Sequence, residues 1–164
     1  MLNKQNHSEF FKKKKLYYLS RLRIIKKNLI HIEDIPEDIA MIDLLESEPY
    51  LGQYGKIIKI IIIYKVNQEN NQEKYSAYIT FSNEFEAALA ILCLDAITVG
   101  GKIIRTFFGT TKYCDYFLNN EICPNIDKCS FLHQFTNDNN LIIDTNNAFS
   151  YHDHLNLAKK IFDA

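Results

Sequence analysis

Three cysteines and one histidine stand close together in the last third of the chain, and side chains of these types can hold a metal ion. Their spacing is C-x8-C-x5-C-x3-H, formed by Cys114, Cys123, Cys129 and His133. Zinc prefers four tetrahedral nitrogen or sulfur ligands, and such a set leaves no position open for a reacting water. The spacing therefore predicts one structural Zn²⁺ in a small finger that folds around the metal. The fourth cysteine, Cys93, lies in an apolar stretch and is predicted to be a core residue.

The predicted finger also contains aromatic residues that a zinc site does not need. Phe117 follows the first cysteine of the finger, and Phe131 lies between the last cysteine and the histidine. An exposed aromatic ring can stack on a nucleobase, so both residues are candidate contacts to single-stranded RNA. Tyr113 and Tyr116 are instead expected to pack around the metal site.

The residues before the finger alternate between strand and helix patterns. Pro36 and Asn83 each open a helical pattern, and Asn83 with Glu86 resembles a capping box. The order β-α-β-β-α-β over about eighty residues predicts an α+β fold of the ferredoxin-like plan. The strands of this plan are predicted at residues 28–35, 56–66, 74–81 and 102–108.

Composition and pattern divide the chain into four predicted segments. The segments are a basic helical extension at residues 1–27, the ferredoxin-like sandwich at 28–109, the finger at 110–135 and a polar tail at 136–164. The helical pattern of the extension covers Glu9–Lys27, and a short helix is predicted at Tyr151–Phe162 in the tail. His152 and His154 in the tail are expected to be solvated rather than catalytic.

Successive side chains of a strand point to opposite faces of the sheet, so a period of two predicts which of them project from the open face. Tyr78 and Ser76 point outward on the third strand, and His31 points outward on the first. Tyr78 and His31 are therefore predicted to be neighbouring flat rings that stack unpaired RNA bases, the alternative being a surface pair without a ligand. Ile61 and Ile63 are expected on the same face. Cations on the strands of this sheet are predicted to meet phosphates, and they are Lys59, Lys74, Lys102 and Arg105.

Two of these strands resemble the sequence motifs of the RNA recognition motif (RRM) family. KYSAYITF is similar to the eight-residue motif of that family, and IHIEDI is similar to its six-residue motif. Ser76 stands where the family has an aromatic residue, Tyr75 where it has glycine, and His31 where it usually has Phe or Tyr. The resemblance implies the RRM fold and binding of single-stranded RNA, with Tyr78 as the full aromatic platform.

The order of the segments resembles a more specific family. An RRM that continues through GTTKYCDYFLNNEICP into a CCCH finger, preceded by LSRLRIIKKNL, is similar to the fourth Not proteins, the RING-type ubiquitin-ligase subunits of the CCR–NOT deadenylase complex. The resemblance covers roughly residues 19–133 and implies a role in mRNA regulation, with protein partners from that complex. In that family a RING domain precedes this region and binds two zinc ions. The sequence contains no such cluster, so we expect a fragment or a RING-less form in which ligase chemistry does not reside.

Charge separates the chain into two parts. Residues 1–27 hold nine Lys/Arg and one acid, a formal charge of +8, and the remainder holds ten Lys/Arg and nineteen acids, a formal charge of −9. The basic arm favours sequence-independent contacts to phosphates, and a solvated helix is the alternative. The acidic remainder favours a second function, that of a protein-interaction or assembly module.

Composition and pattern also indicate which classes of function to exclude. No apolar run approaches the roughly 20 residues of a membrane span, and the N-terminus lacks the apolar core of a secretory signal. We therefore expect an intracellular protein of the nucleus and/or cytoplasm without a membrane partner. No nucleophile–base pair can be identified, so we expect neither enzymatic activity nor a small-molecule substrate.

Overall fold

The computed structural model describes residues 4–144 and 148–164. The chain forms two compact units, one made of Lys26–Gly109 and Phe149–Ala164 and the other of Met1–Ile25 and Thr110–Ala148. The elements in chain order are α1 (Lys4–Ser20), β1 (Arg23–Ile35), α2 (Ile42–Glu46), β2 (Ile57–Val66), β3 (Glu73–Phe81), α3 (Glu84–Leu94), β4 (Thr98–Val99), β5 (Lys102–Ile103), β6 (Arg105–Thr111), α4 (Asp115–Leu118), β7 (Ile142–Ile143) and α5 (Tyr151–Phe162).

The larger unit has the predicted α+β plan. Its strands lie in the order β2-β3-β1-β6, and β3 pairs antiparallel with both β1 and β2. Inward side chains alternate along the strands, so that Ile30, Ile79 and Phe81 are fully buried. Asn83 begins α3 as predicted, because its side chain accepts a hydrogen bond from the Glu86 N–H at 2.9 Å. This sheet, with one face covered by helices, confirms the fold that the sequence predicts.

The inward face of α3 does not include Cys93. Ala87, Ala88 and Ile91 are fully buried, whereas Phe85 is 48% exposed and Cys93 is exposed. Cys93 follows Ile91 by two positions, which is about 200° around a helix and therefore on the solvent side. The prediction that Cys93 is a core residue is wrong, because an apolar stretch does not by itself say which side of its helix is buried.

Several element boundaries also differ from the predicted ones. The N-terminal helix ends at Ser20, and Arg23–Lys27 belong to β1 because Ile24 pairs with Ile142 of β7, a partner more than a hundred residues away. The helix predicted after Pro36 is a 3₁₀ turn at Glu37–Ile39 followed by the five-residue α2. The last long strand begins at Arg105.

Lys102 belongs to a separate two-stranded sheet, so the prediction that it lies on a strand of the main sheet is wrong. Gly100 and Gly101 form the turn of this small hairpin with φ angles of +57° and +78°, which residues with a Cβ rarely adopt.

The C-terminal helix α5 has the bounds that the sequence predicts and packs against α3, where Phe162 stacks on Phe85 and Ala158 is fully buried. His154 is 7% exposed, so the expectation that it is solvated is wrong. Its Nδ1 accepts a hydrogen bond from the Phe108 N–H at 2.9 Å, and burial lowers the pKa of His154 to about 4. Because β6 is an edge strand, α5 covers an outward-facing backbone group that would otherwise lack a partner in the sheet.

The smaller unit contains α1, α4, β7 and the segment that holds the three clustered cysteines. Tyr113 and Cys114 are buried, and backbone hydrogen bonds link Cys114 and Lys112 to Leu132. The Tyr18 hydroxyl donates to Asp144 at 2.8 Å. Within the described ranges, no helix of either unit has the length and apolar character that a membrane crossing needs.

Candidate nucleic-acid interface and candidate metal centre

The two predicted rings meet on the open face of the sheet. His31 and Tyr78 are paired across β1 and β3, and their ring centroids lie 4.3 Å apart with an interplanar angle of 10°. The rings are therefore stacked on one another instead of lying side by side, so this His31–Tyr78 ring pair offers its outer faces to a ligand. Burial lowers the pKa of His31 against the opposing effect of Glu33, which favours a neutral imidazole.

A cleft of about 230 Å³ lies beside the ring pair. Both acidic and basic side chains line the cleft. The His31 Nδ1 lies 3.9 Å from a Glu33 carboxylate oxygen. The lining includes Glu33, Ile63, Lys65, Lys74, Ser76 and Tyr78. Ser76 therefore lies where the sequence analysis places it, on the ring-pair face, and the cleft combines a flat platform with hydrogen-bond donors and acceptors.

Strand β2 extends this face. Ile61 lies opposite Tyr78 and Ile63 opposite Ser76, as the sequence analysis expects. Lys59 lies opposite Thr80 and is exposed, as is Lys74 at the other end of β3. Lys65, opposite Lys74, is a cation that the sequence analysis did not assign to the site. Lys65 follows Ile63 by two residues and Ile61 by four. Because side chains two residues apart share a face of the strand, this spacing could have placed Lys65 on the same face.

Arg105 reaches the outward side of β6 but is engaged within the chain. Its guanidinium lies 5.1 Å from the centroid of the Tyr151 ring, and its Nη1 donates to the Tyr151 hydroxyl at 3.2 Å. Phe107, the next outward residue on β6, meets Tyr151 and His154 edge to face. Helix α5 therefore occupies the β6 end of the face, a contact that treating residues 136–164 as a tail could not anticipate.

The four predicted metal ligands come together in the smaller unit. One ligand atom from each of Cys114, Cys123, Cys129 and His133 lies within 4.8 Å of the others. The first two cysteines are buried, and the His133 Nε2 is a buried nitrogen that finds no hydrogen-bond partner among the described residues. A buried polar atom without a partner lowers the stability of the fold unless a ligand binds it. Three cysteine sulfurs and this histidine nitrogen are ligand types that zinc prefers, and their placement fits one metal ion.

The backbone around the cluster favours one thiolate in particular. A hydrogen bond from the Phe117 backbone, with further contributions from His133 and Cys123, lowers the pKa of Cys114 to about 7. Cys123 accepts from the Asn125 backbone, but burial and the neighbouring cysteines raise its pKa overall. The thiolate is the form of cysteine that binds metals, so the local structure prepares Cys114 for that role.

The aromatic residues of the finger occupy different environments. Phe117 is half-buried and packs against Tyr113 and Phe135, with ring centroids 6.3 and 5.0 Å away. Phe131 is 41% exposed, and the Lys112 Nζ lies 4.8 Å from its ring centroid. Tyr113 is buried as expected for a residue near the metal, whereas Tyr116 is 44% exposed.

The sheet order, the helix-covered face and the outward ring pair have the arrangement that the sequence resemblance implies. The family model RNA recognition motif matches residues 31–105. The solved structure of the Mip6 RRM3 domain is similar to this chain with a TM-score of 0.42 and 23% identity, over 51% of this chain and 93% of that one.

Two curated proteins resemble this chain beyond the RRM. General negative regulator of transcription subunit 4 of Saccharomyces cerevisiae is 37% identical over 129 residues, which cover 71% of this chain and 22% of that protein. A general negative regulator of transcription of Schizosaccharomyces pombe is 37% identical over 120 residues, which cover 71% and 24%. These matches confirm the resemblance to the fourth Not proteins. The chain spans about a quarter of the length of these relatives.

Proposed function

We propose that this protein binds single-stranded RNA through the open face of its RRM and through the finger, as part of a complex that regulates or deadenylates mRNA. The observation that supports this most directly is the His31–Tyr78 ring pair on the uncovered face of an RRM sheet. Unpaired bases stack on such rings, and each stacked base contributes about 1–3 kcal/mol.

Cations around the ring pair supply the contacts to the RNA backbone. Lys59, Lys65 and Lys74 lie on outward positions of β2 and β3, where they can neutralise phosphates. Three such contacts to a single strand correspond to a slope of about −2 for log K against log salt concentration. When RNA displaces the Arg105 guanidinium from Tyr151, Arg105 joins these three lysines in contacting phosphates. We expect micromolar, mostly non-specific affinity.

The finger is proposed to hold one structural zinc ion on Cys114, Cys123, Cys129 and His133. The metal would supply folding free energy, because the segment between the ligands contributes few buried apolar side chains. In this role all four coordination positions belong to the protein, so we assign no catalytic chemistry to the site. Phe131 and Phe117 are proposed as further stacking contacts to RNA bases, Phe131 together with the neighbouring Lys112.

The biological setting is inferred from the relatives. Both are named negative regulators of transcription, and one is named as a subunit. We infer protein partners from a deadenylase complex, a location in the nucleus and/or cytoplasm, and no enzymatic activity of these residues.

The second candidate function is a protein-interaction module, favoured by the acidic residues of the RRM.

Fluorescence anisotropy with short labelled RNAs tests RNA binding by the zinc-loaded chain. Tyr78→Ala is expected to weaken binding by about five- to 150-fold, because a stacking platform is lost. Tyr64→Ala is the matched control, since Tyr64 is 49% exposed on the neighbouring strand but faces the other side of the sheet. Absent binding at low salt, or equal losses in both variants, would contradict the proposal.

A further inference from the structure

A second cavity lies on the helix side of the larger unit, away from the ring pair. It has a volume of about 190 Å³ and opens to solvent between the end of β1, the α2 region and the end of α3. Its lining is almost wholly apolar and includes Ile35, Pro36, Leu45, Tyr54, Leu94 and Ile97. We refer to it as the helix-side cavity.

The size of the helix-side cavity fits a single large side chain. An engineered apolar protein cavity of about 150 Å³ takes up benzene, so this slightly larger space accommodates an aromatic ring or a long aliphatic group. The cavity persists because α2 has five residues and covers little of the sheet. Met41 and Ile42, at the start of the same short helix, are exposed by 53% and 48%.

The part of the cavity rim that residues 28–55 form is strongly acidic. Residues 28–55 contain seven Asp and Glu residues and no Lys or Arg. Exposed acids directly adjoin lining residues, with Glu37 and Asp38 between Pro36 and Ile39, Glu46 after Leu45 and Glu48 before Pro49. Across residues 4–144 and 148–164, no ion pair engages any of these four carboxylates. Their field repels phosphates and attracts cations.

We propose that the helix-side cavity is a docking site for a basic peptide segment of a partner protein. One aromatic or large aliphatic side chain of the peptide fills the cavity, and flanking Lys or Arg residues meet the acidic rim. An RNA backbone is disfavoured by the same acids, and a small neutral molecule would gain nothing from them. Because the ring pair projects from the opposite face of the sheet, the peptide and RNA use separate surfaces of this unit.

A peptide selection tests this assignment directly. A phage-displayed library of random peptides of about twelve residues is selected on the immobilised, zinc-loaded full chain, and the enriched peptides are rebound to an Ile97→Lys variant. Ile97 is 37% exposed at the cavity mouth, so a lysine there is tolerated by the fold while its charge repels a basic peptide. We expect enriched peptides that combine an aromatic or large aliphatic residue with Lys or Arg, and a loss of at least about tenfold in the variant.

Two further comparisons separate this site from the RNA face and from general electrostatics. Neutralising Glu37, Asp38 and Glu48 together is expected to weaken the peptide about tenfold at low salt and less at high salt. Neutralising three exposed acids elsewhere, Glu9, Glu69 and Asp163, is expected to change affinity much less. RNA binding of Ile97→Lys is expected to equal that of the wild type, so the two proposals can fail independently.

Three outcomes would overturn the docking proposal. The first is a selection that yields no peptide whose binding depends on Ile97. The second is enrichment of acidic or uncharged peptides, since these do not complement the rim. The third is self-association of the wild type that Ile97→Lys abolishes in sedimentation experiments, because the occupant would then be a second copy of this chain.

Discussion

The buried histidine of α5 predicts how stability depends on pH. The His154 Nδ1 accepts the Phe108 N–H, and protonation removes that acceptor and places a charge in a buried site. The folded-state pKa of about 4 lies below the ordinary value of 6.5, so the unfolded chain takes up the proton first. The contribution of His154 is therefore complete above pH 6.5, falls as the pH drops and is lost near pH 4.

The size of this effect follows from the pKa shift. The difference between a pKa of about 4 in the folded chain and 6.5 in the unfolded chain corresponds to roughly 3 kcal/mol in the free energy of unfolding, of which about 2 kcal/mol is lost by pH 5. The perturbation is His154→Asn, because the Asn Oδ1 stands near the position of Nδ1 and accepts the same hydrogen bond without titrating. The wild type is therefore expected to lose about 2 kcal/mol relative to the variant between pH 7.5 and pH 5.

Urea unfolding followed by circular dichroism measures this difference at each pH in the presence of zinc. Taking the difference between the two proteins cancels other titrating groups, including the thiols of the finger. His152→Asn is the matched control, since His152 is an exposed neighbour on the same helix and is expected to follow the wild-type curve. Parallel pH curves for wild type and His154→Asn would refute the reasoning.

Two further predictions concern the finger and the sheet. Chelation of the metal is expected to unfold residues 110–135 and leave the RRM sheet folded, which amide NMR spectra would report as selective loss of finger signals; uniform loss or no change would contradict it. Gly109→Ala is expected to cost about 1–3 kcal/mol, because a Cβ there would approach the Leu29 side chain to 2.5 Å. Urea unfolding measures this cost. Combining Gly109→Ala with Leu29→Ala is expected to reduce the cost of the glycine substitution, because the Leu29 atoms that clash are then absent. Additive losses of stability in the double variant would contradict the clash.

Local patterns predicted much of the fold correctly. The alternation along β3 placed Tyr78 and Ser76 outward, and the capping signal at Asn83 placed the start of α3. The prediction for Cys93 failed, because an apolar stretch does not by itself say which side of its helix is buried. Local patterns also misplaced the end of the N-terminal helix, where a non-local strand partner draws Ile24 into β1.

The sequence by itself predicted that Cys114, Cys123, Cys129 and His133 form a cluster and which strand residues face outward, because residue spacing and strand alternation are local patterns. Only the tertiary structure decided that His31 and Tyr78 stack on each other, since the sequence does not specify side-chain rotation. It also decided that α5 returns to cover β6. His154 and Phe108 are 46 positions apart, and their hydrogen bond depends on packing that no local pattern encodes.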